Sequence, residues 1–375
     1  MNATAVNPLQ NLTRLESFLA ADPGNPGLLT EAVHAALQAG LPERARTMLE
    51  HADPAQAETA QRRHLESTLL LAERQYAQAR AILQGLRDEG LDASGILFNL
   101  GYAQLRCGSA ADAAGSLAPL MARDDAPEAT LAYLMRSHHH AGSAADAVAA
   151  WEAAPARFKT PEATAVAALA CLDLDRIDDA RRLADDALAR GAGASEALIA
   201  RATVAIGDGD EERAAQLLAK ARSAAPEDGR VLSTAGIALM AKGDMAGAEH
   251  LLRQAVALMP QHVGTWHALA WTQLAAGRLD DARETFSAAL AIDRNFGETH
   301  GGMAVVSALQ GRIDEARIEI ERAQRLGRDG MTYRYAQALL SGDAGNAAAV
   351  RALALRTLRR NESAAKLKLI DKLDI

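Results

Sequence analysis

The chain has 375 residues, 49% of them apolar but only 3% aromatic, and a formal net charge of −8 at pH 7. Alanine supplies much of the apolar content; it is the best helix former and buries little area, so the composition predicts an all-α protein with close helix contacts and a sizeable core. The acidic balance argues against a general nucleic-acid binder, which needs a basic face. The opening "MNATAVNPLQNLTRLESFLAADP" has no charged stretch leading into a continuous apolar segment, so no secretory leader is expected. No window approaches the roughly 18 apolar residues of a membrane span. Cys107 and Cys171 lie far apart and fit a reduced interior. A soluble, cytoplasmic protein without a membrane span is the expectation.

In chain order, "NPLQNLTRLESFLAADP" predicts a first helix with Asn7 as cap, Pro8 early, and Leu12, Leu15 and Leu19 on one face. From Pro26 the chain repeats. Alanine recurs at 45, 79, 113, 147, 180, 214, 248, 282 and 316, each step being 34 residues except Ala147 to Ala180, which is 33. Five residues before each mark the first helix of a unit ends, usually on glycine: Gly40, Gly108, Gly142, Gly209, Gly243, Gly277 and Gly311. Glycine tolerates the left-handed conformation that closes a helix. Arg74 and Asp175 stand at that place in two units. Acids then open the second helix, as in Asp178 and Asp179, Glu211 and Glu212, Asp280 and Asp281, and Asp314 and Glu315, where they are expected to cap exposed N–H groups and oppose the helix dipole. Along that helix small, large and small residues alternate on one face: Ala282, Phe286 and Ala289, or Ala248, Leu252 and Ala255. Methyl-sized side chains let paired helices approach closely. The end, "NESAAKLKLIDKLDI", places Ala365, Leu369, Ile370 and Leu373 on one stripe and predicts a closing helix.

The period, the Trp266–Leu269–Ala270 start, Gly277, Ala282, Phe286, Ala289, and the closing Pro226 and Pro260 resemble a tetratricopeptide repeat array of the bacterial multi-repeat type. The resemblance implies an all-α, right-handed superhelical solenoid of antiparallel helix hairpins. It divides the chain into an N-terminal capping helix (1–25), nine repeats (26–327), a degenerate tenth (328–360) and a C-terminal capping helix (361–375), in one continuous elongated domain. It further implies that one face of each first helix packs on its hairpin partner (Trp266, Leu269, Ala270, Gln273) while the other lines a concave groove. On that assignment the groove carries His34, His64, Phe98, Tyr102, Arg106, Arg136, His139 and His140 toward the N-terminus, and Ile237, Met240, His267, Trp271 and Val305 toward the C-terminus. Trp266 is therefore expected in the core and Trp271 in the groove.

Three consecutive histidines, His138 to His140, invite a metal site. Successive helical residues point about 100° apart, so adjacent imidazoles do not converge on one ion, and the i, i+4 spacing of helical zinc pairs is absent. The acidic stretches around Asp173–Asp179 and Ile206–Glu212 lack calcium-loop spacing. No phosphate loop, nucleophile elbow or CxxC pair occurs. The chain is thus expected to have no enzymatic activity, no cofactor and no metal. It is read as a protein- or peptide-binding scaffold or adaptor; a peptide-responsive regulatory sensor, or a chaperone of a secretion or assembly system, is the alternative. Aromatics and arginines anchor interfaces, so the N-terminal cluster is the expected contact for an extended peptide bearing carboxylates. The partner and the oligomeric state are not legible.

Overall fold

A computed structural model of the chain describes residues 8–53, 59–191, 193, 195–327 and 330–341. The expected Asn7 cap, the closing helix and most of the degenerate tenth repeat lie outside them. The described residues form α-helices joined by tight turns, with two short 3-10 segments and no strand among them. None of the described helices is long and apolar enough to cross a membrane. The helices group into two compact units divided between Ala163 and Thr164.

The first unit begins with α1 (Pro8–Ala21), whose Leu12 and Leu15 are buried as their spacing predicts. Four hairpins follow: α2 (Pro26–Gln38) with α3 (Pro42–His51), α4 (Ala60–Ala72) with α5 (Tyr76–Asp88), α6 (Ser94–Arg106) with α7 (Ala110–Leu117), and α8 (Thr130–His140) with α9 (Ala144–Ala153). The first helices stack in sequence, α2 on α4, α4 on α6 and α6 on α8. The division between the units falls in the first turn of α10 (Pro161–Asp173).

The second unit continues through α11 (Ile177–Ala189), α12 (Ser195–Asp208), α13 (Glu211–Ala224), α14 (Gly229–Ala241), α15 (Met245–Leu258), α16 (Val263–Ala275), α17 (Leu279–Ile292), α18 (Gly297–Leu309), α19 (Ile313–Leu326) and α20 (Met331–Ser341). Here α12, α14, α16, α18 and α20 stack in turn, each backed by its own second helix where one is described. Each unit is thus a run of all-α solenoid hairpins.

The alanine marks explain the close pairing. All nine are shielded from solvent, eight at 0% exposure and Ala214 at 2%. A polar staple also recurs across the hairpin: Ser116 donates to Gln104 Oε1 at 2.8 Å in the first unit, and Thr285 donates to Gln273 Oε1 at 2.7 Å in the second. Both bonds are buried, which satisfies polar groups a dry helix contact would otherwise strand.

The turns keep one geometry whatever residue occupies them. Gly277 N–H bonds the Leu274 carbonyl at 2.9 Å and Arg278 N–H the Gln273 carbonyl at 3.0 Å. Around Arg74 the equivalent bonds are Arg74 to Leu71 at 3.1 Å and Gln75 to Leu70 at 2.8 Å. The glycines there have positive φ, and so do Arg74 (φ 61°) and Asp175 (φ 57°). A side chain in that region costs roughly 1–2 kcal/mol, less for aspartate. Arg74→Gly is therefore expected to stabilise the fold by about 1 kcal/mol, read as a raised midpoint in urea, with a smaller gain for Asp175→Gly. An unchanged or lowered midpoint for Arg74→Gly would count against this reading of the turn.

The acids that open the second helices act differently from the expectation. The preceding residue supplies a side-chain cap at α13 and α15, where Asp210 accepts from Arg213 N–H at 3.0 Å and Asp244 from Gly247 N–H at 2.9 Å, while α11, α17 and α19 have no side-chain cap. One step further on, a carboxylate sits in the first turn, where it opposes the dipole and pairs with arginine. Asp179 accepts from Arg182 at 2.9 Å and Arg176 at 2.7 Å, and these two guanidiniums hold its carboxyl below the usual range.

Candidate functional site

Four aromatic rings of the first unit form one connected row. On α6, Phe98, Tyr102 and Arg106 recur every four residues and share a helix face. On α8, Tyr133 and Arg136 recur at three. Because α6 and α8 stack, the Tyr133 ring meets Phe98 edge-on at 5.6 Å and Tyr102 at 5.2 Å. Tyr76, opening α5, meets Tyr102 at 6.0 Å. The Arg106 guanidinium lies 4.8 Å over the Tyr76 ring, and that of Arg136 lies 5.3 Å over Tyr133. Phe98, Tyr102, Tyr133 and Arg136 are half-buried and Arg106 is exposed.

The neighbouring α4 extends this face. His64 and Thr68 flank Asn99, whose amide donates to His64 Nε2 at 3.3 Å and lies 3.4 Å from the Thr68 hydroxyl. Burial lowers the His64 pKa below its ordinary 6.5, nearby His34 adds to that, and the Gly95 backbone opposes it; the ring is neutral at pH 7 and free to accept from Asn99. Burial likewise raises the Tyr102 hydroxyl above its ordinary range, with Tyr76 and Tyr133 reinforcing the shift and Arg106 opposing it, so it remains a donor. His34 is exposed on α2. His139 and His140 end α8 with ring centroids 6.1 Å apart. Among the described residues, no group of three His, Cys, Asp or Glu is placed to hold a metal ion.

In the second unit the expected groove residues are corrected. Trp271 is fully buried and His267 is 6% exposed; Met240 and Val305 are buried, and only Ile237 stays half-buried. Trp271 Nε1–H donates to His267 Nε2 at 2.8 Å, and both rings pack edge-on against Phe286, at 5.9 and 5.5 Å. Met240, Met303 and Val305 belong to the same core. On α18, Gly302 stands so close to the Phe286 ring that a Cβ would lie 2.5 Å from Phe286 Cζ. With that space given up, Phe286 covers Trp271 and His267. Trp266, expected in the core, is only half-buried; it donates to the Pro260 carbonyl at 2.9 Å beside Leu252, Val256 and Leu269.

Sequence reading missed Tyr133, Asn99 and Tyr76. Tyr133 and Asn99 lie three residues before Arg136 and Tyr102, a spacing that puts each pair on one helix face. That signal was available. Tyr76 opens a second helix, and nothing in the spacing of first helices points to it.

The row combines flat apolar faces, hydroxyl donors and guanidiniums held over rings. The exposed Arg106, stacked on the Tyr76 ring, can turn N–H groups toward a carboxylate. Such a face suits an extended chain that lays side chains against the rings and presents an acidic group to Arg106.

The tetratricopeptide repeat family matches residues 205–269, 239–296 and 273–341. The match falls in the second unit, while the alanine period runs on through Ala45, Ala79, Ala113 and Ala147 of the first. No curated protein matches the chain. Among solved structures, the human IFIT1 dimer with PPP-AAAA is 14% identical, covers 99% of this chain and 96% of that one, and has a TM-score of 0.56. The Cut9–Hcn1 hetero-tetramer of APC/C is 14% identical over 90% of this chain and 75% of that one, at a TM-score of 0.53. TTC0263, a thermophilic TPR protein of Thermus thermophilus, is 22% identical over 48% of this chain and 100% of that one, at a TM-score of 0.42. At these identities the likeness to IFIT1 and Cut9 is one of fold alone.

Proposed function

The chain is a tetratricopeptide-repeat protein, and from that premise we propose that it is a non-enzymatic scaffold that holds an extended, carboxylate-bearing segment of a partner protein. The fold is generally an interaction scaffold. The observation that carries the finer reading is the row Tyr76–Tyr102–Tyr133–Phe98 with guanidiniums over Tyr76 and Tyr133, half-open to solvent in the first unit. Aromatic and arginine side chains give large contact area and strong hydrogen bonds together, which is why they dominate interface energetics. His34 and His64 extend the proposed contact on one side, and His139 and His140 at the end of α8 on the other. His267 and Trp271 leave the set because they are buried.

The test uses a displayed library of random peptides selected on the full chain and on the Phe98→Ala, Tyr102→Ala, Arg136→Ala triple variant. Selected peptides are expected to be rich in Asp and Glu. Their affinity is expected to fall at least about a hundredfold in the variant, since two hot-spot losses of about 2 kcal/mol already exceed that. The variant should retain its helix content. Peptides that bind both proteins equally would refute the site. Binding of the RNA PPP-AAAA, with loss in the same variant, would replace the peptide reading by a nucleic-acid one.

A further inference from the structure

The two units use the same repeat places for opposite ends, and the difference traces to one pair of residues. Tyr102 and Trp271 each stand eleven residues before their alanine marks, Ala113 and Ala282. Tyr133 and Gly302 each stand fourteen before theirs, Ala147 and Ala316. Leu117 and Phe286 each stand four after Ala113 and Ala282. In the second unit a large ring at 286 meets a glycine at 302, covers Trp271 and His267, and shuts them from water. In the first unit the smaller Leu117 turns onto Gly101 of its own hairpin, where a Cβ would lie 2.5 Å from Leu117 Cγ. The large ring comes instead from Tyr133 on the next first helix and touches Phe98 and Tyr102 from the side.

We infer that Tyr133 is a positioning residue that props the aromatic face of the first unit open, and that the paired sizes at 117 and 133 decide whether that face is a surface or a core. The pairs Leu117–Tyr133 and Phe286–Gly302 each combine a larger with a smaller side chain. Leucine with tyrosine carries more side-chain volume than phenylalanine with glycine, so exchanging the pair in the first unit opens space beside Phe98 and Tyr102 into which a ring at 117 can turn, as Phe286 turns onto Trp271 and His267. The consequence for binding rests on the proposed peptide site; the openness of the face does not.

The test is the exchange itself in the full chain, Leu117→Phe with Tyr133→Gly, and its reverse, Phe286→Leu with Gly302→Tyr. Hydroxyl-radical footprinting reads the oxidation rates of Tyr102 and Trp271 without any ligand. In the first exchange Tyr102 oxidation is expected to fall severalfold at unchanged helix content, and in the reverse exchange Trp271 oxidation is expected to rise severalfold. Tyr133→Phe, which keeps the prop and loses only the hydroxyl, is expected to leave Tyr102 as reactive as before. Unchanged Tyr102 and Trp271 reactivity in the folded exchanges would overturn the inference. Unfolding of the first exchange would overturn it too, because the first unit would then not accept the residues that close the second. Selected peptides should lose affinity for the first exchange and keep it for Tyr133→Phe. A closed face that still binds them leaves the prop intact and refutes the binding site instead.

Discussion

Trp271→Ala is expected to destabilise the protein by about 3–5 kcal/mol, the usual range for emptying a fully buried large aromatic site. Trp271 is completely shielded, packs against Phe286 and Met240, and gives its indole N–H to His267 Nε2. Truncation leaves a cavity among side chains that α14, α16 and α18 hold in place, and it removes the indole N–H from the buried His267 Nε2. Both effects have the same sign. The neighbouring Trp266→Ala is the control. That ring is half-buried and its hydrogen bond goes to an exposed turn, so about 1–2 kcal/mol is expected from lost contact area. Urea titrations followed by helical circular dichroism check the order. A larger loss for Trp266→Ala would show that the faces of α16 are misassigned.

Ala282→Leu is expected to destabilise by about 1–3 kcal/mol, the cost of forcing extra carbons into a filled core. Ala282 has no exposed surface and lies in the core that holds Phe286 and Trp271. An isobutyl group there pushes α16 and α17 apart and lengthens the buried Thr285–Gln273 bond. Leucine loses little helix propensity relative to alanine, so propensity does not mask the effect. The same change at Ala79, in the core with Leu83, Leu86 and Leu100, should act alike. A neutral result at both positions would mean that the alanine spacing does not set the hairpin distance.

The hairpins were legible because their determinants are local and periodic. Ala45 through Ala316 mark the contact, and the turn glycines mark the helix ends. Even Arg74 and Asp175, which break the glycine rule, adopt its conformation because the flanking helices impose it. Exposure of the inner residues was not legible from the repeat place. Tyr102 and Trp271 occupy one place and differ in fate, since the deciding residues, Tyr133 and Gly302, come one repeat later. Side-chain volumes across a helix contact are non-local, and a face assignment copied from repeat to repeat averages over them. His267 illustrates the cost, being an apparent surface histidine that accepts a buried indole N–H.

Hydrogen–deuterium exchange of the full chain, with and without a selected acidic peptide, tests the assignment of the contact to the first unit most directly. Added protection is predicted over residues 94–106 and 130–140, which make up α6 and α8, with residues 263–275 of α16 unchanged. Protection confined to α16 and α18, with α6 and α8 unaltered, would contradict it.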